Sequence, residues 1–363
     1  MSADPDRVRP AGEAAAVADL IRRMPKAELH LHLDGSLRPE TALELATQRG
    51  LAGGMDLAAI RARLVAPARC ENQADLLRAF DLPIALMQDA EALARITTEL
   101  VQDVVTDGTR YVEIRWAPTL HVERGLSLRD GVAAVVAGAR RGSALTGVQV
   151  RLIAVALRSH DPERNRAMAQ EAVRFVDQGL TGFDCAGQEE RYPDLMLHRA
   201  AFDVARAGGL GITCHAGEWG GAAQVWRALA VNPSRIAHGP GAIDDPRLVA
   251  ELIARNVTLD LCPTSNVQAN IVPSVAEHPI TRLVRAGVPV TLSTDDRTVS
   301  GLTLVREYAN VVRETGLTIP ELWAVDRHAL AVAFLHHDEA LRASLLAEFD
   351  AFAALEPALR DVP

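Results

Sequence analysis

Short apolar runs recur along this chain, with longer segments of helical periodicity between them. The runs are AELHLHL (27–33), YVEIRWA (111–117), VQVRLIAVAL (148–157), LTGFDCA (180–186), GITCHA (211–216), RIAH (235–238), VTLDL (257–261) and VPVTLST (288–294). Their β-branched content, and the Gly or Pro that follows several of them, predict strands. The intervening segments DAEALARITTELVQDVV and DPERNRAMAQEAVRFVDQ place apolar residues at i, i+3, i+4 and i+7, as amphipathic helices do. Alternation of strand and helix implies parallel pairing under a helical cover. Eight strands is the number that closes an α/β barrel of the (β/α)8, or TIM, type, with an open doubly wound sheet as the alternative. The stretch 36–108 must then hold extra helices after strand 1, including a cover for the barrel mouth, and further helices follow strand 8 at the C-terminus. Residues 1–24 read as an N-terminal extension, helical over AGEAAAVADLIRR, and residues 25–363 as a single barrel domain.

Composition narrows the function classes. Of 363 residues, 48% are hydrophobic and 23% charged, which predicts a sizeable core, and the net charge of −9 gives no footprint for nucleic acid or anionic lipid. No apolar run approaches the ~18 residues of a membrane span, and the first residues do not read as a signal peptide. Four cysteines lie far apart without a CxxC pair, which fits reduced thiols in a cytoplasmic protein. The expected partner is a small molecule.

The polar residues at the strand ends carry the chemistry. His30 and His32 lie on strand 1, Asp184 on strand 4, His215 and Glu218 at the end of 5, His238 at the end of 6, Asp260 on 7, and Asp295 with Asp296 at the end of 8. In a parallel barrel these ends converge on one mouth. Strand residues two apart share a face, so His30 and His32 point together, and paired imidazoles in a core need a partner for their nitrogens. A divalent metal supplies one, and zinc accepts both His nitrogen and carboxylate oxygen. Lys26 is the only lysine and precedes strand 1 at the opposite end of the barrel, so it cannot bridge two metals as a carboxylated lysine; a mononuclear site follows. Glu218, three residues after His215 and beside Gly217, can turn toward a substrate next to the metal, where burial among carboxylates would raise its pKa and let it donate a proton. His238 is open between a fifth metal neighbour, a base for water and a core residue, with base or orienting group preferred. This set fits metal-activated attack of water on a polar unsaturated carbon, and residue types alone do not choose among an amide, an imine and an aminopurine.

The motifs PKAELHLHLDGSLRPET, YVEIRWAP, FDCAGQE, TCHAGE, RIAHG, LDLCPTSN and HPITRLVRAGVPVTLSTDD run in the order found in the adenosine deaminase family of the amidohydrolase superfamily, which this chain resembles over nearly all of its length beyond the extension. The resemblance implies one zinc held by His30, His32, His215 and Asp295, and deamination of adenosine and 2′-deoxyadenosine. It implies catalytic roles for Glu218, which protonates purine N1, for His238, which takes a proton from the water or stabilises hydroxide, and for Asp295, which also contacts that water. It places His32, Asp34, the Gly187 amide and Asp296 against substrate: Asp34 on the ribose 5′-hydroxyl, Gly187 on N3 and Asp296 on N7. Leu76, Leu77 and Phe80 are similar to an apolar gate, with ordinary helix core as the equal alternative. The sequence HLDG, where the adenine branch has HLEG, favours a nucleoside over the free base. Arg297 stands where many relatives carry Pro, which leaves contacts beyond Asp296 open. Adenine and modified adenosines such as aminodeoxyfutalosine are the alternative substrates, and a catalytically dead purine-binding barrel is the non-enzymatic reading.

Overall fold

Eight short parallel strands form the centre of the molecule in the computed structural model, which describes residues 11–359. They are β1 (Lys26–His32), β2 (Thr109–Trp116), β3 (Gln149–Leu157), β4 (Leu180–Ala186), β5 (Gly211–Ile212), β6 (Arg235–Ala237), β7 (Thr258–Leu261) and β8 (Val290–Leu292). Ladders run in order from β1 to β5 and from β6 to β8. Two seams join these sheets. His32 N donates to Asp295 O at 2.8 Å and Asp295 N to His30 O at 3.1 Å, stitching β8 to β1; Ala237 N donates to Cys214 O at 2.9 Å and Ala216 N to Ala237 O at 3.2 Å, stitching β5 to β6. The ring is a closed barrel, and the open-sheet alternative is set aside. Both seams are made by the segments that carry the candidate ligands.

Helices cover the outside. The first, α1 (Ala11–Arg23), buries Leu20 and Ile21 and leads straight into β1, so the described part of the extension is docked on the core. Between β1 and β2 lie α2 (Pro39–Gln48), α3 (Leu57–Leu64), α4 (Gln73–Leu77), α5 (Asp81–Leu86) and α6 (Ala90–Val104). Residues 1–10 of the extension fall outside the described residues. The segments read as helices from periodicity are α6 and α8, after α7 (Leu128–Thr146); α8 spans Pro162–Val173. The remaining crossovers use α9 (Arg199–Ala207), α10 (Gly221–Ala228), α11 (Pro246–Ala254), α12 (Pro263–Gln268) and α13 (Ile280–Arg285). After β8 come α14 (Leu304–Glu314), α15 (Ile319–Val332) and α16 (Glu339–Leu355), the expected C-terminal additions. Side-chain oxygens of Asp56, Asn72, Asp89, Ser127, Asp161 and Thr303 accept first-turn amides, which is how a chain so rich in short helices marks their starts.

Several strands are shorter than their apolar runs. GITCHA pairs as a ladder only over Gly211–Ile212, RIAH stops at Ala237, and VPVTLST narrows to Val290–Leu292. The backbone turns sharply just past two of these. His238 has φ +70° and Asp295 φ +66°, left-handed conformations that a side-chain-bearing residue adopts only where its surroundings enforce it. His238 directly follows β6, and Asp295 lies three residues beyond β8. Lys26 is also the first residue of β1 rather than preceding it; it is buried, with Nζ donating to Met24 O at 2.7 Å.

The barrel interior is charged. Arg115 on β2 pairs with Asp184 on β4 at 2.9 Å, approaches Asp260 on β7 at 3.7 Å and donates to Leu29 O at 2.8 Å. Below it, Arg235 on β6 pairs with Glu113 and lies 3.2 Å from Asp260. All five side chains are fully buried. Burial opposes the charge on Asp184, but His215 and Arg115 beside it outweigh burial and hold its carboxyl far below the usual range. This layer forms a rigid polar floor directly beneath the mouth.

Candidate active site

Four side chains converge just above that floor. His30, His32, His215 and Asp295 each bring one ligand-type atom into a set that spans no more than 4.8 Å. His30 Nε2 lies 3.3 Å from His32 Nε2, which lies 3.2 Å from His215 Nε2; Asp295 Oδ1 is 3.0 Å from His30 Nε2 and 3.4 Å from His32 Nε2. Asp295 Oδ1 is buried with no hydrogen-bond partner among the described residues. Three imidazole nitrogens and a carboxylate oxygen facing one point suit a cation, and this donor set fits a divalent metal. Burial, with Arg115 nearby, holds His30 well below its ordinary pKa, and burial pushes His32 down to about 4, so both rings are neutral, as ligands must be.

Further contacts orient these groups. Asp184 Oδ2 lies 2.9 Å from His215 Nδ1, and its Oδ1 accepts the His215 amide at 3.1 Å. Ser265 Oγ donates to Asp295 Oδ2 at 2.7 Å, and Ser293 Oγ accepts from the amides of Leu29 and His30. Such partners fix ring and carboxylate orientation.

A cavity of about 450 Å³ opens over the four, within the ~300–1,000 Å³ typical of small-molecule sites. A larger cleft of about 560 Å³, beside Arg151 and Asp338, lies at the starts of β3 and β4, at the other end of the barrel, and holds none of the converging histidines. Glu218, His238 and Asp296 line the first cavity, with Asp34, Gly187 and the apolar trio Leu76, Leu77 and Phe80. Every candidate site residue except His30 borders this one space, and His30 sits buried behind it. Leu76 is buried while Leu77 is 36% exposed, so the trio both packs and faces the opening.

The carboxylates differ in state. Burial raises Glu218 well above the carboxylate range, and the charges of Asp295 and Glu189 push the same way. Burial likewise raises Asp296, reinforced by Asp295 and Asp34. Both carboxyls are therefore biased toward the protonated, donor form. Burial works against Asp34, but His121 and His32 outweigh it and hold its carboxyl below the ordinary value, so it is an acceptor. His121 Nε2 lies 3.7 Å from Asp34 Oδ2. Gly35 leaves room for Asp296: a methyl there would stand 1.6 Å from Asp296 Oδ1. Gly187 has φ +118°, which only glycine adopts easily, and this turns the chain past the cavity wall.

Arg297 points elsewhere. Its guanidinium pairs with Asp107 at 2.6 Å, away from the cavity, and so holds the loop that carries Asp296. Sequence reading missed His121 and Glu189. Glu189 is buried and accepts the amides of Gly217, Glu218 and Gly220 at 3.1, 3.2 and 2.9 Å, clamping the loop that presents Glu218. A second acid in GQEE was the available signal, but only the fold shows which of the two turns inward.

A closed (β/α)8 barrel with a His-x-His strand, a third His and an Asp at its carboxyl mouth defines a metal-dependent hydrolase of the amidohydrolase type. The family model described as adenosine deaminase matches residues 25–351. An adenosine deaminase of Enterococcus faecalis is 35% identical over 319 residues, covering 88% of this chain and 94% of that one. Among solved structures, an amidohydrolase from Burkholderia ambifaria with bound zinc has a TM-score of 0.84 at 26% identity, covering 98% of both chains. An adenine deaminase from Arthrobacter aurescens has a TM-score of 0.83 at 25% identity, covering 91% of this chain and 99% of that one. This chain belongs to the adenosine deaminase family, and it is an enzyme, a hydrolase of carbon–nitrogen bonds.

Proposed function

We propose that this enzyme binds one zinc ion through His30, His32, His215 and Asp295, and hydrolyses adenosine and 2′-deoxyadenosine to inosine and 2′-deoxyinosine with release of ammonia. The observation that carries the reading is the convergence of that donor set with Glu218, His238 and Asp296 on one cavity. The ion, when bound, supplies Lewis-acid activation of a water molecule. Glu218, held protonated, gives its proton to purine N1, which makes C6 electrophilic. His238 faces the attacking oxygen, with Nε2 3.8 Å from Glu218 Oε1 and 3.8 Å from Asp295 Oδ2. Water adds at C6, one of its protons passes to the amino group, which leaves as ammonia, and the other returns to Glu218 as the C6 carbonyl forms. Asp296 in its neutral form donates to N7, which can only accept, and the Gly187 amide donates to N3. Asp34 in its charged form accepts from a ribose hydroxyl.

The four free cysteines are buried thiols, which supports a reducing, cytoplasmic compartment. Among the described residues no helix is long and apolar enough to cross a membrane.

Adenine is the second reading, favoured by the likeness to the adenine deaminase. Ammonia release from the zinc-loaded protein over adenosine, 2′-deoxyadenosine, adenine and aminodeoxyfutalosine decides between them. Adenosine should be preferred in kcat/KM by at least ~10⁴ over adenine, because the free base leaves the buried Asp34 Oδ1 without a hydrogen-bond donor. Faster turnover of adenine or of the modified nucleoside would reassign the substrate.

A further inference from the structure

Behind His238, on the side away from the cavity, runs a chain of hydrogen bonds that ends at a backbone amide. Ile280 N lies 3.2 Å from His278 Nδ1, His278 Nε2 lies 3.1 Å from Asn266 Oδ1, and Asn266 Nδ2 lies 3.2 Å from His238 Nδ1. His278, Asn266 and His238 are all buried, and burial lowers His278 to about 3, so its ring is neutral.

The direction of this chain is fixed at its far end. A backbone N–H only donates, so His278 Nδ1 accepts from Ile280 and the neutral ring must carry its proton on Nε2. That N–H requires an acceptor, which sets the amide of Asn266 with Oδ1 toward His278. Nδ2 of Asn266 then donates to His238 Nδ1. The opposite amide orientation would leave His278 accepting at both nitrogens, which a neutral imidazole cannot do. His238 Nδ1 is thus occupied as an acceptor, and the proton of its ring sits on Nε2, which faces Glu218 and Asp295.

We propose that His278 and Asn266 are positioning residues that lock His238 in its Nε2–H tautomer, so that His238 presents a hydrogen-bond donor to the attacking oxygen and is not the base that deprotonates it. The proposal rests on the site reading above, in which His238 faces that oxygen. It resolves the choice between base and orienting group. A neutral ring with Nδ1 occupied has no lone pair to offer on the cavity side, whereas its N–H steadies negative charge on the oxygen that adds to C6.

The test is the ¹⁵N spectrum of histidine-labelled, zinc-loaded full-length protein without substrate, with the His238 and His278 signals assigned by single substitutions. Both rings should show a pyrrole-type Nε2 and a pyridine-type Nδ1. In Asn266→Asp the carboxylate accepts from both rings, so the His238 proton should move to Nδ1. In that variant kcat should fall roughly 10–100-fold, the usual effect of losing an outer partner, with KM within about twofold. His278→Leu, which frees Asn266 to turn, should give a mixture of His238 tautomers and a smaller loss in kcat, and serves alone if Asn266→Asp does not fold. An Nδ1–H ring in the unaltered protein would overturn the proposal, as would an Nε2–H ring retained in the variants. Because the spectrum is read without turnover, a protein that ignored adenosine yet held the Nε2–H ring would refute the substrate and leave the lock intact.

Discussion

Replacing Glu218 by Gln should leave metal content unchanged and lower kcat by ~10²–10⁴-fold, the range associated with a positioned general acid. The amide keeps the size of the carboxyl and its place at the cavity wall, and Glu218 lies outside the four converging ligands. What it loses is the transferable proton. KM should change little, because N1 still has a hydrogen-bond donor opposite it, so the loss falls on the transition state. The pH profile gives the sign. Since burial and the charges of Asp295 and Glu189 raise this carboxyl above the ordinary carboxylate range, unaltered enzyme should lose activity as rising pH removes that proton. The Glu218→Gln enzyme should lack that limb. Steady-state kinetics across pH with metal analysis of both proteins checks all three statements, and near-normal kcat would remove Glu218 from its role.

The second large effect falls on stability. Arg115→Leu should cost about 3–5 kcal/mol, since it leaves the buried Asp184 carboxylate without its 2.9 Å partner and takes charge compensation from Asp260. Against a total of ~5–15 kcal/mol for a folded protein, that is a substantial share. The denaturation midpoint in urea should fall sharply. A loss below about 1 kcal/mol would show that the floor of the barrel does not depend on this cation. Metal affinity should also drop, because Asp184 orients His215 and is itself held by Arg115.

The converging donor set was legible in the sequence because strand periodicity and barrel topology together say where a residue points. His30 and His32 are two apart on one strand, and His215 and Asp295 end others, so a parallel barrel brings them together whatever the loops do. The helices read from 3.6-residue periodicity fell in place for the same reason. Strand ends were less readable: the runs read at β5, β6 and β8 extend past the last ladder residue, and His238 and Asp295 take positive φ under tertiary contacts that no local pattern announces. Roles that depend on direction were hidden too. Glu189 and the outward-looking Glu190 differ by one position, and only the three amides gathered by Glu189 identify the inward one. Arg297 left the contacts beyond Asp296 open, and its pairing with Asp107, 190 residues earlier, could not be read from a loop sequence. The connection from Ile280 to His238 joins the end of β6, α12 and the start of α13, and exists only once the barrel is folded.

The central claim is that this barrel mouth is a metal-dependent deaminase site. Its most direct test is the conversion of adenosine to inosine, followed by ultraviolet absorbance, before and after the protein is stripped with a chelator and then given zinc in measured steps. The account predicts that the stripped protein is folded but inactive, and that activity returns linearly to a plateau at one zinc per chain. Undiminished turnover by the metal-free protein, or a plateau reached only at two ions per chain, would contradict it.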